Sequence, residues 1–419
     1  MKKKIIGIFV CMLLIATGVI PVNSTISQSV VKKSSTLEIP DSHIIENVPY
    51  VNQGNSMYCG FATITMMILY YRINATFFEV LFNSGIGYSV GYKIKYPCIS
   101  IPGYMLAQEA EERRFLANIY GLRYSYCDIT DTISDESKWQ MYWTYVKENI
   151  SKNIPVTTVV KMDELPYYEN ISDVHYIVLV GYNETNNTVC IHDSIATVLN
   201  TSMSSGAYIY MPINCLKNGL KSLNYSYLIE IFEDTSNEPL SKKDTFKLAH
   251  ARNINKTKGE ANAFDKECNR TGIPIHIFGV HALHFIKHSY NIKNILMLTI
   301  SDKIRETNNI IGLANYCWWI SVEKHNMSQY LMKNADLYPN AEYEAYLLDI
   351  EAATWLLLYY KNMELWSILT FRLPLQISVL KEIKDILDVI ISIVKDILLQ
   401  NLIQQLHLED ECMGRDLNP

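Results

Sequence analysis

Apolar and polar residues fall into long blocks along this chain. Behind a basic start, Met1-Lys2-Lys3-Lys4, an apolar run extends from Ile5 to about Ile20, broken only by small residues. Val22 and Ser24 suit the small-residue positions of a signal-peptidase site, so residues 1–24 are expected to be a secretory signal peptide cut near Ser24. An uncleaved anchor helix is the other reading, although the run is slightly short for a span. Either way the body of the chain leaves the cytosol, and the protein is expected to be secreted or held at the cell surface. Residues 25–40 are rich in Ser, Thr and Lys and read as a linker.

A mixed region follows, residues 41–235. A short extended piece is expected from Ile44 to Val51. The stretch Gly60 to Tyr71 has helical length and is apolar on every side, which predicts a buried central helix. Two more helices are expected, Met105 to Tyr120 and Lys138 to Ile150. Strands come after them. Pro155 to Val160 is rich in β-branched residues, and His175 to Tyr182 is nearly continuously apolar, as a buried strand would be. Asn183 to Asn187 reads as a turn, with Thr188 to His192 as the hairpin partner. Helices first and strands after is an α+β layout.

The pattern changes after about Asp234. Ser236 to Lys243 is polar and linker-like, and helical patterns dominate residues 244–370. The last unit, residues 375–408, follows Pro374. Leu380, Ile383, Leu387, Ile390, Val394 and Ile397 recur at alternating three and four residues, with charges between them. That is an amphipathic helix with a coiled-coil-like seam. Asp388 and Lys395 argue against a membrane span. The seam suits packing on its own helical domain and self-association equally well.

Composition narrows the function classes. The chain of 419 residues is 49% hydrophobic and 19% charged, which is globular. A net charge of −6 offers no basic face for nucleic acid. There are nine Cys, and none forms a CxxC pair, so a zinc ribbon is not expected. Outside the cell some disulfides would be stable, but their pairing is not readable. Asn-x-Ser/Thr sequons recur from Asn74 to Asn326 and would suit glycosylation, or simply reflect an Asn-rich chain.

Candidate chemistry begins at Val48-Pro49-Tyr50-Val51-Asn52-Gln53-Gly54-Asn55-Ser56-Met57-Tyr58-Cys59-Gly60. A Cys at the start of a helix meets main-chain N–H groups and the positive dipole end, which favour a thiolate. A thiolate is what a nucleophile for acyl transfer needs. The ordinary reading is a buried small residue. Gln53, six residues upstream, is placed to donate to an oxyanion. His175 opens the apolar strand, and Asp193 ends its hairpin partner. The turn between them brings these two positions together, where the carboxylate would orient the imidazole. His192 competes for the base, but strand alternation turns it to the opposite face.

These residues carry a resemblance. Pro49 to Gln53, Tyr58-Cys59-Gly60, His175 to Tyr182 and Val189 to Asp193, in that order, resemble the papain-like peptidase C39 superfamily. Gly85-Ile86-Gly87 with Gly91, and Met162 to Tyr168, resemble more closely the N-terminal domain of the butirosin biosynthesis protein H family. The match covers about residues 45–195, and residues 270–370 faintly resemble the helical domain that often follows. The resemblance implies a papain-like fold, a helical half with an antiparallel sheet, followed by an all-α C-terminal domain. It implies Cys59 as nucleophile, His175 as general base and then acid, Asp193 as orienting carboxylate and Gln53 as oxyanion donor. Three features depart from the pattern. Phe61 stands where a small residue is usual, Ser194 stands where proline is common, and the signal peptide removes the chain from carrier-bound thioesters.

The expected function is therefore an exported cysteine peptidase or amidase that hydrolyses peptide-like amides through a Cys59 thioester. An acyltransferase that passes the acyl group to an amine, and a non-catalytic surface protein on the same fold, are the alternatives. No metal and no cofactor is implied. His276, His281, His284 and His288 lie at spacings that allow a metal face, but no carboxylate pair joins them, and solvated or core histidine is the plainer reading. Trp318-Trp319, Trp355 and Tyr359-Tyr360 read as core aromatics. Asp163 and Glu164 either line the substrate entrance or form an ordinary loop.

Overall fold

The computed structural model describes residues 39–54, 58–88, 91–93, 110–129, 134–168, 171, 173–200, 202–223, 227–259, 276–290, 300–370 and 377–415. The expected signal peptide and the first turn of the expected second helix, residues 105–109, lie outside them. Asp41–Pro419 forms one compact unit.

The elements in chain order are β1 (Ser42–Ile44), α1 (Cys59–Tyr70), α2 (Phe77–Asn83), β2 (Gly91–Lys93), α3 (Ala110–Ile119), β3 (Leu122–Ile129), α4 (Asp135–Ile150), β4 (Val156–Lys161), β5 (Val174–Asn183), β6 (Thr188–His192), α5 (Ala196–Leu199), β7 (Ile209–Pro212), α6 (Ile213–Lys221) and β8 (Tyr227–Asp234). A helical region follows: α7 (Lys242–Lys258), β9 (His276–Phe278), α8 (Gly279–Ser289), α9 (Ile300–Lys333), α10 (Ala341–Thr370) and α11 (Ile377–Arg415).

The first part is an antiparallel sheet with helices against it. The seven strands run in the order β3-β8-β4-β5-β6-β7, with β1 also paired to β5. Strand β5 is central, so its apolar run from Ile177 to Val180 is fully buried. It pairs with β4 through Val160↔His175 and with β6 through Val178↔His192. Helix α1 packs on β5 and is buried from Gly60 to Ile68. An apolar surface on all sides of a helix is stable only where every side is covered.

The layout is less segregated than the sequence predicts. Strand β3 lies between helices and pairs along its length with β8, the last strand of the sheet. Leu122 to Tyr126 alternate apolar and polar, but the alternation reverses phase at Cys127-Asp128-Ile129, which shortens the pattern on which a strand is recognised. The extended piece near Ile44 is shifted: the strand is Ser42–Ile44, and the chain from Ile45 onward runs without a ladder. Helix α2, not anticipated from the sequence, is capped by Thr76, whose hydroxyl accepts from Glu79 N–H at 3.1 Å.

Helices α8 to α11 share an apolar cluster built around Trp355, Leu358, Ile383, Leu387 and Ile390. The seam residues Leu380, Ile383, Leu387, Ile390, Val394 and Ile397 are each at most 3% exposed, so the seam is consumed within the chain. The helical region is not isolated from the sheet. The turn Ser84–Tyr88 is held by Lys256 Nζ to Ser84 O at 2.6 Å, and by Thr257 Oγ1 to Tyr88 O at 2.9 Å. Strand β9 also pairs with β2. No helix among the described residues is long and apolar enough to cross a membrane.

Candidate active site

Cys59 is the first residue of α1. The preceding residue, Tyr58, makes no side-chain cap, and the first turn carries no acidic residue. The N–H groups and dipole of this helix end are therefore not neutralised locally, which suits a sulfur anion. Cys59 is partly exposed and forms no disulfide. Burial alone would push its thiol up. The hydrogen bond and charge of His175, with main-chain hydrogen bonds from Tyr176 and Gly60, outweigh burial and hold it below its ordinary value.

His175 is the second residue of β5 and is 3% exposed. Its Nε2 lies 2.8 Å from Asp193 Oδ1. With Nε2 taken by the carboxylate, Nδ1 is the nitrogen left for Cys59. Burial opposes the imidazolium, but the Asp193 charge and hydrogen bond and the Cys59 sulfur prevail and raise His175 to about 10. Both shifts act in the direction that favours a thiolate beside an imidazolium.

Asp193 follows β6 and is fully buried. It does not stand on His175 alone. Tyr167 Oη donates to Oδ2 at 2.8 Å, Tyr168 Oη donates to Oδ2 at 2.9 Å, and the Ile195 N–H donates to Oδ1 at 3.1 Å. Burial would raise the carboxyl, but His175 and these donors hold it below the ordinary carboxylate value. Both phenols are raised by burial and by the Asp193 charge, so they remain donors. The main chain is fixed as well: Asp193 N–H donates to Gly206 O at 2.8 Å, and Tyr50 Oη donates to Asp193 O at 3.2 Å. A Cβ on Gly206 would come within 2.2 Å of Asp193 O, so only glycine fits there.

Gln53 is buried and tied to the residue after the carboxylate. Its N–H donates to Ser194 O at 3.0 Å, and Ser194 Oγ donates to its Oε1. With Oε1 engaged, the amide nitrogen is turned away from Ser194 as a donor. Ser194, where proline was expected, therefore has a use that proline lacks: a hydroxyl that orients the Gln53 amide. Phe61, at the other departure, is simply a core residue, 1% exposed.

The structure thus brings Cys59, His175 and Asp193 into one chain of contacts, with Gln53 bound to its far end. His192 stands apart. It packs edge-on against Tyr50 and Tyr208, with ring centroids 6.1 and 4.5 Å away, and burial lowers it to about 4, so it is neutral. Glu164 accepts from Ser222 Oγ at 2.8 Å and belongs to a loop anchored on α6. His281 and His284 are exposed on α8. Among the described residues no group of three or more His, Cys, Asp or Glu is arranged to hold a metal. Trp355 is core, whereas Trp318 is at the surface.

Residues 45–211 match the Peptidase_C39 like family. This segment is similar to the peptidase C39-like family. The match contains Gln53, Cys59, His175 and Asp193. At the level of the family the C39-like domain is of cysteine-peptidase type, with an α+β papain-like architecture followed by helices. Strand β8, which joins β3 to β4 in the sheet, comes after the matched segment. No curated protein matches the chain.

Sequence reasoning missed Tyr167, Tyr168, Gly206 and Tyr50 as parts of this site. The tyrosine pair lay inside the segment Met162–Tyr168 that supports the resemblance. Only the tertiary structure folds it over Asp193.

Proposed function

We propose that this protein is an exported cysteine peptidase or amidase in which Cys59 attacks a peptide-like amide and His175 serves as base and then acid. The observation that carries this reading is the position of His175, hydrogen-bonded to Cys59 on one side and to the buried Asp193 carboxylate on the other. Thiolate attack on the amide carbon gives a tetrahedral oxyanion, for which the Gln53 amide and the N–H groups at the start of α1 are the donors. Protonation of the leaving nitrogen by the His175 imidazolium breaks the C–N bond and leaves a thioester. Neutral His175 then takes a proton from water, whose oxygen attacks the thioester and frees Cys59. Asp193 keeps one tautomer and supports the imidazolium throughout.

The same thioester serves an acyltransferase, as in the butirosin H family to which the sequence is similar. One observation fits that second reading: the helical region is hydrogen-bonded to the turn Ser84–Tyr88, and a transferase needs a second wall of this kind to hold an amine in place of water. The N-terminal signal pattern favours hydrolysis, because carrier-bound thioesters are cytosolic. The test is mass spectrometry of a mixed peptide library incubated with the wild-type protein and with Cys59→Ala. Cleaved peptides that require Cys59 and no added amine support the hydrolase. Products that form only with an amine and carry it move the assignment to transfer. Absence of product together with unselective Cys59 alkylation removes both.

A further inference from the structure

Arg113, on α3, is one of the most buried large side chains in the protein, at 1% exposed. Its Nη1 is ion-paired with Glu230 Oε2 on β8, itself buried. Glu230 also accepts from Tyr124 Oη at 2.7 Å, and its main-chain oxygen accepts from Thr157 Oγ1 at 3.2 Å. Isolating two charges from water is costly, and an apolar pair of the same volume would fill the space at least as well. A buried ion pair is therefore a weak device for stability alone, and its placement becomes the informative feature.

That placement is specific. Nη2 comes within 2.8 Å of where a Cβ on Gly60 would lie, so the guanidinium packs on the chain at the residue after Cys59, and a side chain there would displace it. The guanidinium carbon sits 4.3 Å from the centroid of the Tyr176 ring, the residue after His175. Arg113 thus contacts the immediate successor of both members of the pair. The cationic end of the Arg113–Glu230 dipole faces the site, and the carboxylate lies on the far side.

We propose that Arg113 is a positioning residue for the Cys59–His175 pair, its charge adding to the α1 terminus and the imidazolium in favouring the Cys59 thiolate. This rests on the reading of Cys59 as nucleophile. The groups facing Cys59 are His175 from β5, Tyr168 from the segment before β5, and Arg113 from α3. Those facing Arg113 are Glu230 from β8, Tyr124 from β3, Tyr176 from β5 and Cys59 itself.

The test is the rate of Cys59 alkylation by iodoacetamide in the full chain, followed by mass spectrometry from acid to alkaline pH. In Arg113→Met/Glu230→Gln both charges leave together, so no buried ion is stranded. The acid-side rate is expected to fall about tenfold, with an unchanged alkaline plateau, because only the thiolate population shifts. Arg113→Lys should keep the wild-type profile. Glu230→Gln alone should act in the opposite direction and raise the acid-side rate, since it leaves the cation unopposed. That single variant decides the matter if the double variant does not fold. A merely structural role predicts the same loss at every pH in all of these variants, and that result, or profiles identical to wild type, overturns the proposal. If wild-type Cys59 is not alkylated selectively, the functional reading itself is what fails.

Discussion

Among the described residues, two imidazole–carboxylate pairs are buried. His175 meets Asp193 at 2.8 Å, and His250 on α7 meets Glu344 on α10 at 2.9 Å. Both carboxylates also accept from tyrosine: Tyr167 and Tyr168 in the first case, Tyr88 at 2.6 Å in the second. Their surroundings differ. His175 leads to a thiol at an uncapped helix end, whereas the His250 ring is enclosed by Phe82, Phe246 and Tyr338, with centroids 6.5, 5.9 and 4.4 Å away. Glu344 draws its partners from α7, from the turn after α2, and from Asn401 on α11. The second cluster is a tie between the helical region and the C39-like domain. A His–carboxylate pair alone is therefore not a candidate active site; the adjoining thiol at a helix terminus is what makes the first pair one.

The comparison has consequences of very different size. Cys59→Ala should reduce turnover by about 10⁴-fold or more while the fold persists, because no other group supplies the nucleophile. Circular dichroism checks the fold, and substantial residual turnover would break the assignment. Asp193→Asn should cost about 10³-fold in kcat through the loss of imidazole orientation. Glu344→Gln should do the reverse. It should lower stability by about 3 kcal/mol, as breaking a buried pair does, and leave Cys59 alkylation in the folded protein unchanged. Urea denaturation and alkylation kinetics measured on both variants would reveal whether the two pairs are interchangeable.

The pH dependence of stability sharpens the contrast further. The folded His175 value lies above its ordinary 6.5, so its contribution is complete below that pH and is lost as pH rises through about 10. Asp193 runs oppositely: its folded value lies below 3.8, so its contribution is present above 3.8 and is lost as pH falls through the lower folded value. Tm against pH should therefore decline at both ends in wild type and less steeply in Asp193→Asn. Superimposable profiles would show that the pair is not ionic. The smallest effects belong to the tyrosines. Tyr167→Phe or Tyr168→Phe removes one of four hydrogen bonds on Asp193, worth about 1 kcal/mol, and should lower kcat by about fivefold. The double variant should approach Asp193→Asn. Single variants indistinguishable from wild type would mean that the other donors suffice.

Much of the C39-like domain was legible because its central elements are extreme. The all-apolar α1 and the run Ile177–Val180 admit few other fates, and the turn after Asn183 fixes which ends of β5 and β6 meet. The edges were not legible. Strand β3 loses its alternation at Cys127-Asp128, and its partner β8 lies about a hundred residues on. Only the sheet as a whole gives such a strand its ladder. Helix α3 reads as an ordinary charged helix from Ala110-Glu111-Glu112-Arg113-Arg114. Nothing local distinguishes Arg113, which is buried against Gly60, from Arg114, which is exposed.

By itself, then, the sequence determined the order Cys59, His175, Asp193, the helix start and strand ends that carry them, and the heptad-like seam of α11. These follow from periodicity and from short-range turn geometry, which act over a few residues. Tertiary structure decided the rest. It turned the α11 seam inward onto α8 and α10, laid Tyr167 and Tyr168 on Asp193, gave Ser194 to Gln53, and set Arg113 behind the pair. Each of these depends on burial and on contacts between positions far apart in the chain, and a polar side chain carries no local mark of whether the fold will cover it.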